Sequence, residues 1–276
     1  MQKLLITCAV LLAAMACCAT SVGAQQTTNT TAPRTSPPQA KTQKEFADYN
    51  AAYATTGSAA MEKAADTFAT TYPESELRSY LYAKAMHDYQ NENNPDKMLA
   101  MGNKVLALDP DNSIALVLTA TVLADSLADS DKDRAQKITT IQKNATHALD
   151  TVDTSFTPPQ TATPEQIAAY KNTLRSMARS ALGIMELKNS NDAQAEKDLQ
   201  EAASLNKAAP DPYIWYHLAL AQDHQKKYAE ALASVNQALQ YTASNPDLEK
   251  LASGERERLV QLAGPSPGSP PKPPRQ

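Results

Sequence analysis

Through the middle of the chain the apolar residues keep to helical spacing, and no long alternation of β-branched and polar residues competes with it. The stretch KVLALDPDNSIALVL, Lys104 to Leu118, shows the pattern and its punctuation: one helix-like apolar run stops and another starts across Asp109-Pro110-Asp111-Asn112. Tyr72-Pro73-Glu74-Ser75 and Asp211-Pro212 divide other runs in the same way. Asn94-Pro95, Thr163-Pro164 and Asn245-Pro246 each set a capping residue before a proline at the first helical position. Thr163 with Gln166 adds a capping box. These signals predict about eleven helices with short connections, and one exception at residues 151–162. Before that exception a longer helix is expected near Ala135 to Leu149, and after it an extended run from Pro164. The last run, with Leu248, Leu251, Leu259 and Leu262 between charges, predicts a terminal helix with an apolar face and a polar back.

The runs are copies of one another. In WYHLALAQDHQKKYAEALASVNQAL, Trp215 to Leu239, Ala219 and Ala231 stand twelve apart, small where two antiparallel helices would cross. Trp215, Leu218 and Leu239 supply apolar volume around that crossing. The preceding copy has Gly183 and Ala195 at the same spacing, with Leu199, Ala202 and Leu205 continuing its second helix, and Arg179 in place of the aromatic. An earlier copy carries Met86 and Met98 there, so that crossing must be wider or filled differently. Tyr49, Met86 and Ala120 lie 37 and 34 residues apart, and Gly183 and Ala219 lie 36 apart. Such periods mark helix–turn–helix solenoids. The interval from Ala120 to Gly183 is 63, which points to an insertion inside the fourth unit.

With Trp215, Leu218, Ala219, Tyr228, Ala231, Ala238 and Leu239 in place, the last copy resembles the tetratricopeptide repeat (TPR), and the resemblance extends over roughly residues 42–242. It implies an all-α fold, a right-handed TPR superhelix of about five helix pairs plus a C-terminal capping helix. The repeat domain is expected over 42–263, with the insertion around 151–163.

Composition agrees: 7 Gly and 5% aromatics in 276 residues, with Ala, Leu, Gln, Lys and Glu, all good helix formers, dominating the middle. Residues 1–24 have a short basic start, an uncharged apolar run to Ala19, and the small residues Val22-Gly23-Ala24, which together read as a secretory signal peptide cut after Ala24. An uncleaved anchor, or acylation at Cys17, where Ala14 stands in place of a leucine, is the alternative. All three cysteines lie there, so the mature chain carries no thiol, disulfide or cysteine metal site. Removing residues 1–24 leaves 25 basic side chains against 30 acidic, a balance with no electrostatic footprint for nucleic acid. Residues 25–41 read as a disordered Thr/Pro/Gln-rich linker, and 264–276 (GPSPGSPPKPPRQ) as a disordered Pro-rich tail. No segment after the signal reaches a membrane-spanning length.

The chain holds no recognisable chemistry. The four histidines, His87, His147, His217 and His224, show no paired metal spacing, the glycines are isolated, and no nucleophile sits in an elbow. Neither catalytic residue, metal nor cofactor is expected. Two Asn-x-Thr triplets, at Asn29 and Asn144, matter only in a pathway that glycosylates.

The resemblance places a concave face on the first helix of each pair. The second pair contributes Tyr80, Ala83, His87 and Gln90, and the third Ile114, Val117 and Thr121. The fourth contributes Met177, Ser180, Ile184 and Leu187, and the last Tyr213, Tyr216, Leu220 and Asp223. Ile114, Val117 and Leu187 are expected to pack between repeats, and the tyrosines either to anchor a partner or to seal a joint with the preceding repeat. Tyr80, His87, Gln90, Tyr213, Tyr216 and Asp223 are the expected partner-binding residues. The resemblance argues against a clamp for a C-terminal carboxylate, because the matching positions carry Ala83, Val117, Ser180 and Tyr216. The function implied is a non-enzymatic protein–protein scaffold or adaptor of the cell envelope, periplasmic or secreted, that takes a peptide or helix of another protein. The alternative is a structural subunit of an outer-membrane or envelope assembly complex, possibly membrane-tethered.

Overall fold

The computed structural model describes residues 39–156 and 161–263. The expected signal peptide at 1–24, most of the linker at 25–41 and the tail at 264–276 lie outside them. Among the described residues there are eleven α-helices and no strand. They are α1 (Gln43–Tyr53), α2 (Ser58–Thr71), α3 (Arg78–Asn91), α4 (Pro95–Leu108), α5 (Ser113–Ser126), α6 (Arg134–Ser155), α7 (Pro164–Lys188), α8 (Asp192–Leu205), α9 (Pro212–His224), α10 (Tyr228–Leu239) and α11 (Pro246–Leu262). Two compact units divide the chain: Met1–Val122 with Lys143–Leu174, and Leu123–Gln142 with Arg175–Gln276.

The punctuation becomes capping chemistry. Asp109 ends α4, and Asn112 accepts the Ala115 N–H at 3.0 Å to start α5, so the Asp-Pro-Asp-Asn run is the joint between successive helix pairs. Asn94, Asp211 and Asn245 accept from Lys97, Tyr213 and Leu248 N–H, each with proline at the start of the helix. At α7, Thr163 N–H donates to Gln166 Oε1 at 2.9 Å while Gln166 N–H donates to Thr163 Oγ1 at 3.3 Å, the reciprocal capping box.

In the first unit, α2, α3 and α4 enclose Met61, Phe68, Leu81, Met86, Met101 and Val105, all nearly or wholly buried. The wide crossing expected at Met86 and Met98 is solved by Gly102. A Cβ there would lie 2.5 Å from Thr119 Cγ2 and 3.3 Å from Met86 Sδ, so a glycine one turn beyond Met98 makes room for the methionine. Helix α5 is apolar on nearly every side and is buried accordingly, from Ala115 through Ala120 and at Val122. Its Thr119 hydroxyl accepts from Asn144 Nδ2 at 2.9 Å. The second glycosylation triplet is therefore the buried hydrogen-bonded link between α5 and α6, with its amide turned away from solvent.

Residues 151–155, expected as loop, continue α6 instead: Val152 is buried, and the Thr151 and Ser155 hydroxyls donate back to the His147 and Thr151 carbonyls. The excess over one repeat lies in two lengthened helices, α6 with 22 residues and α7 with 25 against 14 in α3, α4, α5 and α8. It is thus shared between the third and fourth helix pairs. Phe156 and Tyr170 stack at 4.7 Å where the two long helices approach, and Lys171 Nζ donates to the Asp153 carbonyl at 3.1 Å.

In the second unit, α8 crosses α7 at Gly183, where a Cβ would meet Leu199 Cγ at 2.6 Å and the Ala195 carbonyl oxygen at 3.2 Å. Arg179 replaces the aromatic by pairing with α8: its Nη1 donates to the buried Asp198 at 2.9 Å, and its Nε lies 3.2 Å from Glu201. Ala219 and Ala231 are fully buried where α9 meets α10, and Val235, Ala252 and Leu259 complete that cluster. Two basic side chains close helix ends crosswise. Lys188 Nζ donates to the Ala124 and Asp125 carbonyls at the end of α5, and Arg134 donates to the Lys188 carbonyl and Asn189 Oδ1 at the end of α7.

Candidate partner-binding groove

The expected site residues fall into two sets, one in each unit. In the first unit Tyr80, His87 and Gln90 share α3. Tyr80 is half-buried, and His87 Nδ1 lies 3.3 Å from Gln90 Oε1, which leaves Gln90 Nε2 buried without an acceptor. Of the aliphatic residues expected to pack, Val117 and Leu187 are buried while Ile114 retains some exposure; Ile184 is buried as well.

In the second unit Tyr213, Tyr216 and Asp223 run along one side of α9, and the element they face is α11, the helix that follows, rather than the preceding repeat. Helix α11 rests mainly on α10 and touches α9 lightly, and the seam between the first-type helices α9 and α11 is the candidate groove. Its two ends are bridged. At one end Asn245 Nδ2 donates to Tyr213 Oη at 2.7 Å; at the other, Arg258 pairs with Asp223. Tyr216 lies between, half-buried against the α9–α10–α11 core and close enough to Glu255 for that carboxylate to help raise its phenol pKa, although burial is the larger cause.

Leu251, Glu255, Arg258 and Leu262 follow one another at i, i+4, i+7 and i+11 and so share a flank of α11. The Arg258–Asp223 pair turns that flank toward α9. Leu251 and Leu262 are 40% and 44% exposed, whereas Leu248 and Leu259 are buried. Half of the leucines expected to seat α11 are therefore exposed instead. The helical spacing held this information: Leu248 and Leu259, eleven apart, define the inner face with Ala252, and Leu251 and Leu262 fall to one side of it.

The charge in the groove is unbalanced. Arg258 serves both Glu255, at 2.8 Å, and Asp223, and the two carboxylates hold its guanidinium firmly protonated. Asp223 Oδ1 remains buried with no donor. At the N-terminal end of α9, Asp211 caps the helix, and Asp125 lies near enough for the two charges to interact. Burial is the main reason the Asp125 carboxyl is pushed up to about 7, and it raises Asp211 as well. His217 Nδ1–H donates to the Tyr213 carbonyl, 2.9 Å away, and burial pushes its pKa down to about 4, so it is neutral at pH 7. His224 and His147 lie against Asp192 and Asp111 at 2.8 and 2.7 Å.

One turn recurs between the helices of a pair. Asn93, Ser190 and Lys226 all have φ near +60°. In each case the next residue's N–H reaches back five positions, Asn94 to Tyr89, Asn191 to Glu186 and Lys227 to Gln222, at 2.9 Å. This is a Schellman-type closure. With the small residues at the crossings and the capped joints between pairs, it makes the pairs structural repeats. The fold is of the tetratricopeptide-repeat type.

Solved structures similar to this TPR fold include TTC0263, a thermophilic TPR protein of Thermus thermophilus. It has a TM-score of 0.46 and 15% identity over 76% of this chain and 98% of that one. The MamA protein has a TM-score of 0.36 and 16% identity over 67% and 87%. No protein-family model matches the sequence, and no curated protein matches it.

Proposed function

We propose that the chain is a non-enzymatic scaffold that holds a segment of another protein in the groove between α9 and α11. The observation that carries this reading is the pair of exposed leucines, Leu251 and Leu262, on the same flank of α11 as Arg258, which pairs with Asp223 of α9. Apolar anchors beside an aromatic, within a rim of charge, are the composition of a recognition surface rather than of a reacting centre. Asp223 keeps acceptor capacity beyond its pair with Arg258, which suits a basic residue on the bound segment. The export signal read at residues 1–24 puts this scaffold in the cell envelope or outside the cell, with a mature N-terminus at Gln25. No described helix is long and apolar enough to cross a membrane.

A photo-crosslinking residue placed at Leu251 in living cells tests the groove, with the same residue at Lys250, on the polar back of α11, as the comparison. Discrete protein adducts from position 251 and none from 250 are expected. Equal yields, or none from 251, overturn the assignment, and N-terminal sequencing that does not begin at Gln25 overturns the proposed processing.

A further inference from the structure

Helix α11 leaves open a face that α9 has covered. Pro246 stands 34 residues after Pro212, and the capping residues Asn245 and Asp211 are also 34 apart, so the two helices share a register. On α9, Ala219 and Gln222 face the second helix of the pair. Ala219 is fully buried where α9 meets α10, and Gln222 Oε1 accepts from the Ser234 hydroxyl at 2.7 Å. The residues 34 further on are Ser253 and Arg256. Among the described residues no second helix covers them: Ser253 is partly exposed and Arg256 exposed. Val260, on the same side of α11, is 47% exposed, the most of any large apolar side chain described.

We propose that a second copy of this chain covers that face, the two α11 helices packing antiparallel about a two-fold axis at Ser253, each standing where a second helix stands on α9. Pro246, Glu249, Ser253, Arg256 and Val260 fall within an arc of about 80° on α11, and Leu251 lies roughly opposite. The contact is therefore separate from the α9–α11 reading above.

The stripe is its own complement, which selects a second copy over another partner. The helices of a pair run antiparallel, as a two-fold axis through Ser253 requires, and the axis sets that small side chain against itself where two backbones approach. Pro246 and Val260, seven residues to either side, then meet as apolar neighbours. Glu249 and Arg256, on opposite sides of Ser253, meet as opposite charges, and symmetry makes that pair twice. Glu249 forms no ion pair with the described residues, and Arg256 spends only its Nε, on Asn236 Oδ1 at 2.8 Å. From Pro246 to Val260 the contact runs about 21 Å. One helix pair lies at the small end of specific interfaces, under about 1,200 Å² in total, so the dimer should form and dissociate with concentration.

Analytical ultracentrifugation of the chain from Gln25 tests this. The weight-average mass should climb toward that of a dimer between about 1 µM and 1 mM. Glu249→Arg and Arg256→Glu each place like charges together twice and should weaken self-association by about tenfold or more. Mixing those two variants in equal amounts, or combining the changes in one chain, should restore it. Both positions are exposed, so every variant should melt like the parent. All three cysteines precede Gln25, so Ser253→Cys supplies the only thiol, and mild oxidation should join two chains through it far more fully than through Lys250→Cys.

A mass that stays monomeric over the whole range, single variants that associate like the parent, or no gain on mixing overturns the proposal. None of these changes touches Leu251, so crosslinks from that position can persist when self-association fails, and the reverse.

Discussion

Glycine has three different jobs here, and a single methyl group tells two of them apart. At Gly183 the added Cβ would sit 2.6 Å from Leu199 Cγ and 3.2 Å from the Ala195 carbonyl oxygen, inside a helix crossing whose backbone side does not yield. Gly183→Ala is therefore expected to cost about 1–3 kcal/mol through overpacking. Gly254, in the exposed part of α11, has nothing within 4 Å, and alanine there removes backbone entropy from the unfolded chain. Gly254→Ala should stabilise by roughly 0.5–1 kcal/mol. Circular dichroism melts of the two variants should move in opposite directions, and a shift in the same direction would remove the crossing assignment. The third job, a left-handed turn, falls to Gly57 alone among the described glycines, while the repeated turns use Asn93, Ser190 and Lys226. Those three were silent in the sequence. Serine and lysine do not announce positive φ, and only the hydrogen bond closing each turn holds them there.

At the scale of the helices, the joint from α2 to α4 is laced by tyrosine, carboxylate and lysine. Tyr89 and Lys97 both donate to Glu62, and Tyr82 and Lys104 both donate to Asp66. The Tyr89 hydrogen bond is the main cause of the lowered Glu62 pKa. For Asp66, burial pushes upward but is outweighed by the bonds from Lys104 and Tyr82. A carboxylate whose pKa is depressed by folding contributes stability above its unfolded value, near 4, and loses it as pH falls through the folded value. The melting temperature of the parent should accordingly fall below about pH 4.5. The double variant Glu62→Gln/Asp66→Asn should start lower at pH 7 and show a shallower acid limb. If the limb is just as steep in the variant, the ladder is not the acid-sensitive element. In the other unit Asp125 and His217 act in opposite senses. Ionising Asp125 destabilises as pH rises from about 4 to about 7, and protonating His217 destabilises as pH falls from 6.5 toward about 4.

For the whole molecule, stability in a repeat array is close to a sum of repeat and nearest-neighbour terms, so one transition for the entire chain is not required. Two compact units make that concrete. The single tryptophan, Trp215, lies in α9 and reports the second unit, while far-UV circular dichroism reports every helix. Urea unfolding followed by the two signals should give different midpoints. Coincident midpoints with equal m-values would mean that the chain unfolds as one cooperative body.

Local rules were enough to read the repeat from the sequence. Caps at Asn94, Asn112, Thr163, Asp211 and Asn245, and small residues at Gly183, Ala195, Ala219 and Ala231, depend on contacts within one turn or one helix pair, and such contacts leave a fixed spacing. The candidate site was legible only in part. Tyr213, Tyr216 and Asp223 were correctly gathered on one side of α9, but what they face was not, because helical periodicity gives a residue's face and not its neighbour. Tertiary packing decided that Leu251 and Leu262 lie outside the core. It also decided that Asp223 meets Arg258 thirty-five positions away, and that Asn144 is turned inward to Thr119. Each of these depends on how one helix is rotated against another, and that rotation is set by the volumes of many side chains at once rather than by any short motif.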